Sequence, residues 1–239
     1  MLNAGNRIVN NWIYAISEGY VLIDTGYENG FANFKRCLNE KNIGIQNIRY
    51  IFLTHAHDDH AGFLNEILAE VPGVQVIMSD KAPEVLYRGQ NSFYGGCTGL
   101  LAFLFCHLMK LMGKGEHRFP PLDHKFENRC IFVSDNNREE IGRKLCGSII
   151  DTPGHTKDSI SLLLDDGILL CGDAAMNGLP SMHKITIWVE DKDDFLHSWK
   201  KIIKLKPAKI YPGHGNPFDY SELVKNEQNA QKMKLYPLN

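Results

Sequence analysis

Strands alternating with helices along this sequence predict an α/β fold, and three observations support it. Short runs rich in β-branched and aromatic residues recur between segments whose apolar residues fall at helical spacing. At 239 residues, 44% hydrophobic and 23% charged, the chain suits one domain, residues 1–239, with a well-buried core. Several apolar runs end in Gly-containing turns that carry His or Asp, as strand ends on one rim of an α/β scaffold do.

Taken in order, "RIVNNWIYAI" and "GYVLIDTG" read as two strands joined by a short turn. "ENGFANFKRCLNEKNI" places Phe31, Phe34 and Leu38 on one helical face, and "NIRYIFLT" is the next strand. "AGFLNEILAEV" reads as a helix, "VQVIMS" as a strand and "KAPEVLYR" as a short helix. "CIFVS", "LCGSIIDT", "SISLLLDD" and "GILLCGD" follow as strands with turn residues between them. "DDFLHSWKKIIKLK" opens with acids and closes with lysines, which complements the helix dipole. "KIYPGHG" is a last short strand and "YSELVKNEQNAQKMK" a closing helix.

Net charge is −2, and no window clusters Lys and Arg as a phosphate track requires, so nucleic acid is not an expected partner. The six cysteines lack paired spacing, and "MLNAGNRIVNNW" lacks a basic segment followed by an apolar one, which together predict a cytoplasmic protein with free thiols. "GLLAFLFCHLM" falls short of the roughly 20 residues that span a bilayer, so no membrane span is predicted.

Function is written most densely in "THAHDDH", where three histidines and two aspartates occupy six positions directly after a strand. Burying so many polar groups without partners would cost a few kcal/mol each, so they are either solvated or bound. On an extended chain His55 and His57 project to the same side and can chelate one metal ion. Asp59 and His60 follow where the chain turns into the next helix and can aim at a second ion beside it. The alternative is a solvated loop in which Asp58 or Asp59 caps that helix. "SIIDTPGHT", "ILLCGD" and "KIYPGHG" add His155, Asp173 and His214, each on a Gly-containing turn after an apolar strand.

In this order, "THAHDDH", "TPGHT", "GD" and "YPGHG" resemble the metal-binding signature of the metallo-β-lactamase-fold hydrolases, a superfamily that includes glyoxalase II type thioesterases and lactonases. The resemblance implies an αββα sandwich of two mixed sheets flanked by helices. It also implies that His55, His57 and His155 hold one divalent ion, that Asp59, His60 and His214 hold the other, and that Asp173 bridges them. Zn is the expected metal, with Fe or Mn accepted by the same donors. Asp24, in "LIDTG", matches a further family position, where it is expected to support the ligands from behind; a tight turn would also account for it.

A metal-bridging hydroxide would then be the nucleophile, with Asp59 orienting it and passing a proton to the leaving group. No "GxSxG" elbow offers a rival. Asp173 argues against the β-lactam-cleaving branch, Met176 stands where many lactonases have a nearby tyrosine, and the tail after "YPGHG" is too short for a glutathione-binding domain. The expected reaction is hydrolysis of a small ester, thioester or lactone. An iron persulfide dioxygenase, a phosphodiesterase and a metal-binding sensor without turnover are the alternatives.

The segment from Gly89 to His124 is read as a partly helical insertion, apolar on nearly every side at its centre. It either packs into the core or a homodimer interface, or caps the site with Phe103, Phe105, Leu108 and Met109 lining a pocket for an acyl part. Met176 and His183 are the other expected substrate contacts.

Overall fold

The computed structural model describes residues 1–238. The expected hairpin forms: β2 (Trp12–Ile16) and β3 (Gly19–Ile23) pair antiparallel, and a short β1 (Leu2–Asn3) extends the edge of β2. "RIVNN" stays outside β2. The Asn6 side chain accepts the N–H groups of Ile8 and Val9 at 2.7 and 2.9 Å, and this Asx turn overrides the apolar pattern.

Beyond β3 the sheet continues in parallel through β4 (Ile48–Phe52), β5 (Gln75–Ser79) and β7 (Cys130–Val133). Helices α1 (Phe31–Glu40), α3 (Leu64–Glu70) and α4 (Pro83–Arg88) cover its outer face. A second sheet runs β8 (Gly147–Asp151), β9 (Ile160–Leu164) and β10 (Ile168–Gly172) antiparallel, with β12 (Lys209–Pro212) parallel to β10. Helices α7 (Lys192–Leu205) and α8 (Ser221–Lys232) cover that sheet.

Period-two alternation sorts the side chains between layers. Leu22, Ile51, Val76 and Met78 pack on the first helices, while Val21, Ile23, Phe52 and Ile77 meet Ile160, Leu162, Leu164 and Leu170 between the sheets. Leu169 and Cys171 turn the other way, onto Phe195 and Trp199 of α7. The layers are therefore helix, sheet, sheet, helix.

Three elements depart from expectation. "AGFLNEILAEV" is not one helix: α2 (Asp58–Ala61) stops and α3 starts at Leu64. The break falls at Phe63, whose backbone (φ −105°, ψ 24°) leaves the helical region; Gly62 before it stays helical and admits the close approach of the Glu28 nitrogen, which a Cβ would meet at 2.2 Å. An unanticipated α6 (Arg138–Lys144) packs Ile141 between the sheets. Within the insertion, α5 (Leu100–Leu111) lies on the surface with only Ala102 buried, which corrects the reading of this helix as core. β6 (Gly96–Cys97) pairs with β11 (Trp188–Val189) and ties the insertion to the second half of the chain.

Candidate metal centre

Strand β4 ends at Phe52, and the next residues leave the sheet held by two buried carboxylates. Asp24, at the end of β3 with φ 57°, accepts the Thr54 N–H at 2.7 Å and the Thr54 hydroxyl at 2.8 Å. Asp158 accepts the Ala56 N–H at 2.9 Å, and burial pushes its carboxyl above the usual range. The loop His55–His57 is thus pinned on both sides before α2 begins. Helix α2 has no side-chain cap, so neither Asp58 nor Asp59 serves as one.

The histidines converge. His155 Nε2 lies 3.2 Å from His55 Nε2 and 3.1 Å from His57 Nδ1. A neighbouring group joins His214 Nε2 to Asp59 Oδ2 at 3.1 Å, with His60 Nε2 3.8 Å from Asp59 Oδ1. Asp173 stands between the groups: Oδ1 is 3.6 Å from His60 Nε2, and Oδ2 is 3.5 Å from His214 Nε2 and 3.8 Å from His155 Nε2. Donor atoms of His55/His57/His155, of His55/His60/Asp173 and of Asp59/His60/His214 each fall within 4.8 Å of one another.

Four of the five rings are turned with their second nitrogen inward by a bond on the other. His155 Nδ1–H donates to the Trp188 carbonyl at 2.8 Å and His214 Nδ1–H to the Ile8 carbonyl at 2.7 Å; a carbonyl only accepts, so the proton sits on Nδ1. His60 Nδ1 donates to Asp24 at 2.8 Å. Because the Thr54 hydroxyl already donates to Asp24, its oxygen accepts from His55 Nδ1 at 3.0 Å. One carboxylate, Asp24, therefore orients a histidine in each group.

Do these residues fit divalent ions? His60 Nε2 and Asp173 Oδ1 are both buried and without hydrogen-bond partners, and at 3.6 Å they are too far apart to bond each other. That spacing suits two ligands of one ion with bonds of about 2.0–2.2 Å. Space is kept for them by glycine: a Cβ on Gly213 would sit 2.6 Å from Asp173 Oδ1. On Gly172, with φ +51°, a Cβ would strike Thr54 Oγ1 at 2.4 Å. The Gly-rich turns of "CGD" and "YPGHG" thus serve close packing at the centre.

The electrostatics divide the same way. Burial, then the neighbouring His60, keeps His55 well below the usual imidazole range; burial and His155 do the same for His57. Burial opposes charge on His60 and His214 as well, but carboxylates outweigh it. Asp59 and Asp24 raise His60 to about 10, and Asp173 and Asp59 raise His214 to about 9. Asp59, despite burial, is held well below the carboxylate range by His60 and His214. At pH 7 both His60 and His214 carry a proton that an arriving cation must displace. Metal affinity should therefore rise with pH between 7 and about 10, with protons released on binding. Calorimetric titration in buffers of different ionisation enthalpy measures that release, and pH-independent binding would contradict it.

A cleft of about 390 Å³ opens over the cluster, floored by His57, Asp59, His155, Asp173 and His214. Phe105 and Met109 of α5, with Met176, Ile187 and Trp188, form apolar walls. Phe103, Leu108 and His183 are not on the lining. Phe103 stacks on His107, Leu108 is 55% exposed on the outer face of α5, and His183 pairs with Asn226. Sequence reading missed a clamp between the insertion and the metal loop. Asp58 N–H donates to Asn91 Oδ1 at 2.8 Å, Asn91 Nδ2 donates back to Asp58 Oδ1 at 2.7 Å, and His117 Nδ1 lies 3.3 Å from Asp58 Oδ2. Its one signal was the second aspartate of "HDDH", left over once Asp59 is given to the metal.

The model of the metallo-beta-lactamase superfamily matches residues 4–214. The metallo-beta-lactamase fold-containing protein ST1585 of Sulfurisphaera tokodaii is 31% identical over 222 residues, covering 90% of this chain and 77% of that protein. Its crystal structure superposes with a TM-score of 0.63 at 21% identity, over 93% of this chain and 80% of that one. A beta-lactamase-like protein 2 homolog of Drosophila melanogaster is 25% identical over 95% of this chain. The chain spans 66% of that protein's length and 62% of its Caenorhabditis elegans counterpart. TTHA1623, solved in a di-iron-bound form, superposes with a TM-score of 0.64 at 18% identity, over 94% of this chain and 96% of that one.

Proposed function

The chain belongs to the metallo-beta-lactamase superfamily, and from that premise we propose that it is a dinuclear metal-dependent hydrolase acting on a small ester, thioester or lactone with an apolar or acyl part. The observation that carries this is the pair of ligand groups meeting at Asp173 on the floor of an apolar-walled cleft. His55, His57 and His155 would hold one ion, and Asp59, His60 and His214 the other. Zn suits the donor set, and so does Fe. Bound there, divalent ions acidify water and polarise the substrate carbonyl.

The chain's own groups do the rest. Asp59 faces the cleft with Oδ2 on His214, where it can orient the attacking water and pass a proton to the leaving group. Phe105, Met109 and Trp188 exclude bulk water from the floor and offer an acyl chain its contacts. The second ligand group favours two ions over the single iron of a dioxygenase.

Elemental analysis beside a panel of ester, thioester, lactone, phosphodiester and persulfide substrates tests this reading. We expect close to two divalent ions per chain, hydrolysis of one of the first three classes and loss of turnover with a chelator. One tightly bound iron with O₂ uptake on persulfide would overturn it.

Phe105→Ala should leave metal content and melting temperature nearly unchanged, since the ring is 39% exposed and lies outside the core. Lost contact of about 1–2 kcal/mol should lower kcat/KM about 5- to 30-fold more for a long acyl substrate than for a short one. Equal losses on both would take Phe105 off the substrate path.

A further inference from the structure

On its outer face α5 exposes a continuous apolar stripe. Leu101, Leu104, Leu108, Leu111 and Met112 recur at helical spacing and are 46%, 55%, 55%, 74% and 60% exposed. Single exposed leucines are ordinary, but a run of this size on one face marks a contact surface. Phe105 and Met109 of the same helix turn into the cleft, so the stripe borders the cleft mouth.

Charge identifies the partner. From Val85 to Gly115 the chain holds no Asp or Glu, although the whole chain is net negative. The charges in that stretch are the cations Arg88, which pairs with Glu84 just outside it, Lys110, whose Nζ donates to the Leu238 carbonyl, and Lys114; the two lysines stand at the end of the stripe. Arg7 adds a further cation at the cleft. An apolar strip edged by lysines matches the boundary between acyl chains and anionic headgroups. The size also fits. At 12 residues α5 is about 18 Å long. As a strip about 10 Å wide it offers well under the roughly 800 Å² per partner of a stable protein interface. It is too short to cross a bilayer, and no helix among the described residues can.

We infer that α5 is an interfacial helix that docks the protein on an anionic lipid surface with the cleft mouth beside it. This does not depend on which reaction the metal centre performs.

The test is flotation of the full chain with phosphatidylcholine vesicles containing about 30% phosphatidylserine, and with phosphatidylcholine alone, beside the oligomeric state by light scattering. Binding should favour the anionic vesicles and weaken as salt rises. The double variant Leu104→Glu/Leu111→Glu should bind them about tenfold or more weakly with unchanged melting, because both leucines are more than half exposed. Should that variant fold poorly, Lys114→Glu keeps the test, and should weaken binding to the anionic vesicles alone. No binding by the native chain, or binding untouched by these changes, overturns the inference. So does a native dimer that the leucine variant dissolves, which would make the stripe a contact between two copies.

Discussion

Asp173→Asn should lower kcat by at least about 100-fold and empty at least one metal site. Both oxygens of Asp173 face imidazole nitrogens drawn from the two ligand groups, at 3.5 to 3.8 Å. Asn preserves the shape, so packing against Gly213 survives. What disappears is a negative charge shared between the two ligand groups, and its replacement puts an N–H₂ where a lone pair belongs. One acceptor atom, Oδ1, has no other partner, so nothing else in the site compensates. Turnover and elemental analysis of the same preparation decide the matter. Near-native turnover with both ions bound would remove Asp173 from the centre.

The second large effect is expected from a residue that touches no ion. Asp24 is 1% exposed and accepts from the Thr54 N–H, the Thr54 hydroxyl and His60 Nδ1. The amide of Asn offers one acceptor oxygen, so Asp24→Asn leaves at least one buried donor facing another donor, at a cost of about 1–3 kcal/mol. For a chain of this size that lowers the melting temperature by roughly 2–4 °C per kcal/mol. The tautomer of His60 is no longer fixed, and affinity of the Asp59/His60/His214 group should fall about 10- to 100-fold. The His55 group, reached through the Thr54 hydroxyl, should weaken less. Competition titration with a chromogenic chelator resolves two steps; native affinity at both would show that Asp24 serves the turn alone.

Much of the fold is legible in the chain because its causes are local. Residues such as Val21, Leu22 and Ile23 alternate at the period of a strand, and Phe31, Phe34 and Leu38 recur at that of a helix. Where the local backbone departs from the pattern, the pattern misleads: the Asn6 turn removes "RIVNN" from β2, and the non-helical backbone of Phe63 splits α2 from α3. The apolar run of α5 was ambiguous for another reason. A helix greasy on every side reads alike whether it is buried or exposed, and only packing places it on the surface.

The same division runs through the metal centre. By itself the sequence determined the kind of chemistry, since His, Asp and Gly crowd into four short segments whose side chains are expensive to bury unbound. Only tertiary structure decided how those segments work together. His55 and His155 stand 100 residues apart and meet at 3.2 Å because β4 and β9 bring their ends to one rim. The groups that fix the proton positions, the carbonyls of Ile8 and Trp188, belong to the backbone, which is the same at every position and leaves no mark in a sequence. Likewise Asp158 and the Asn91–Asp58–His117 clamp are ordinary polar residues until the fold sets them against the metal loop. Local periodicity follows from bonds between neighbours, whereas a site's geometry follows from contacts between residues far apart in the chain.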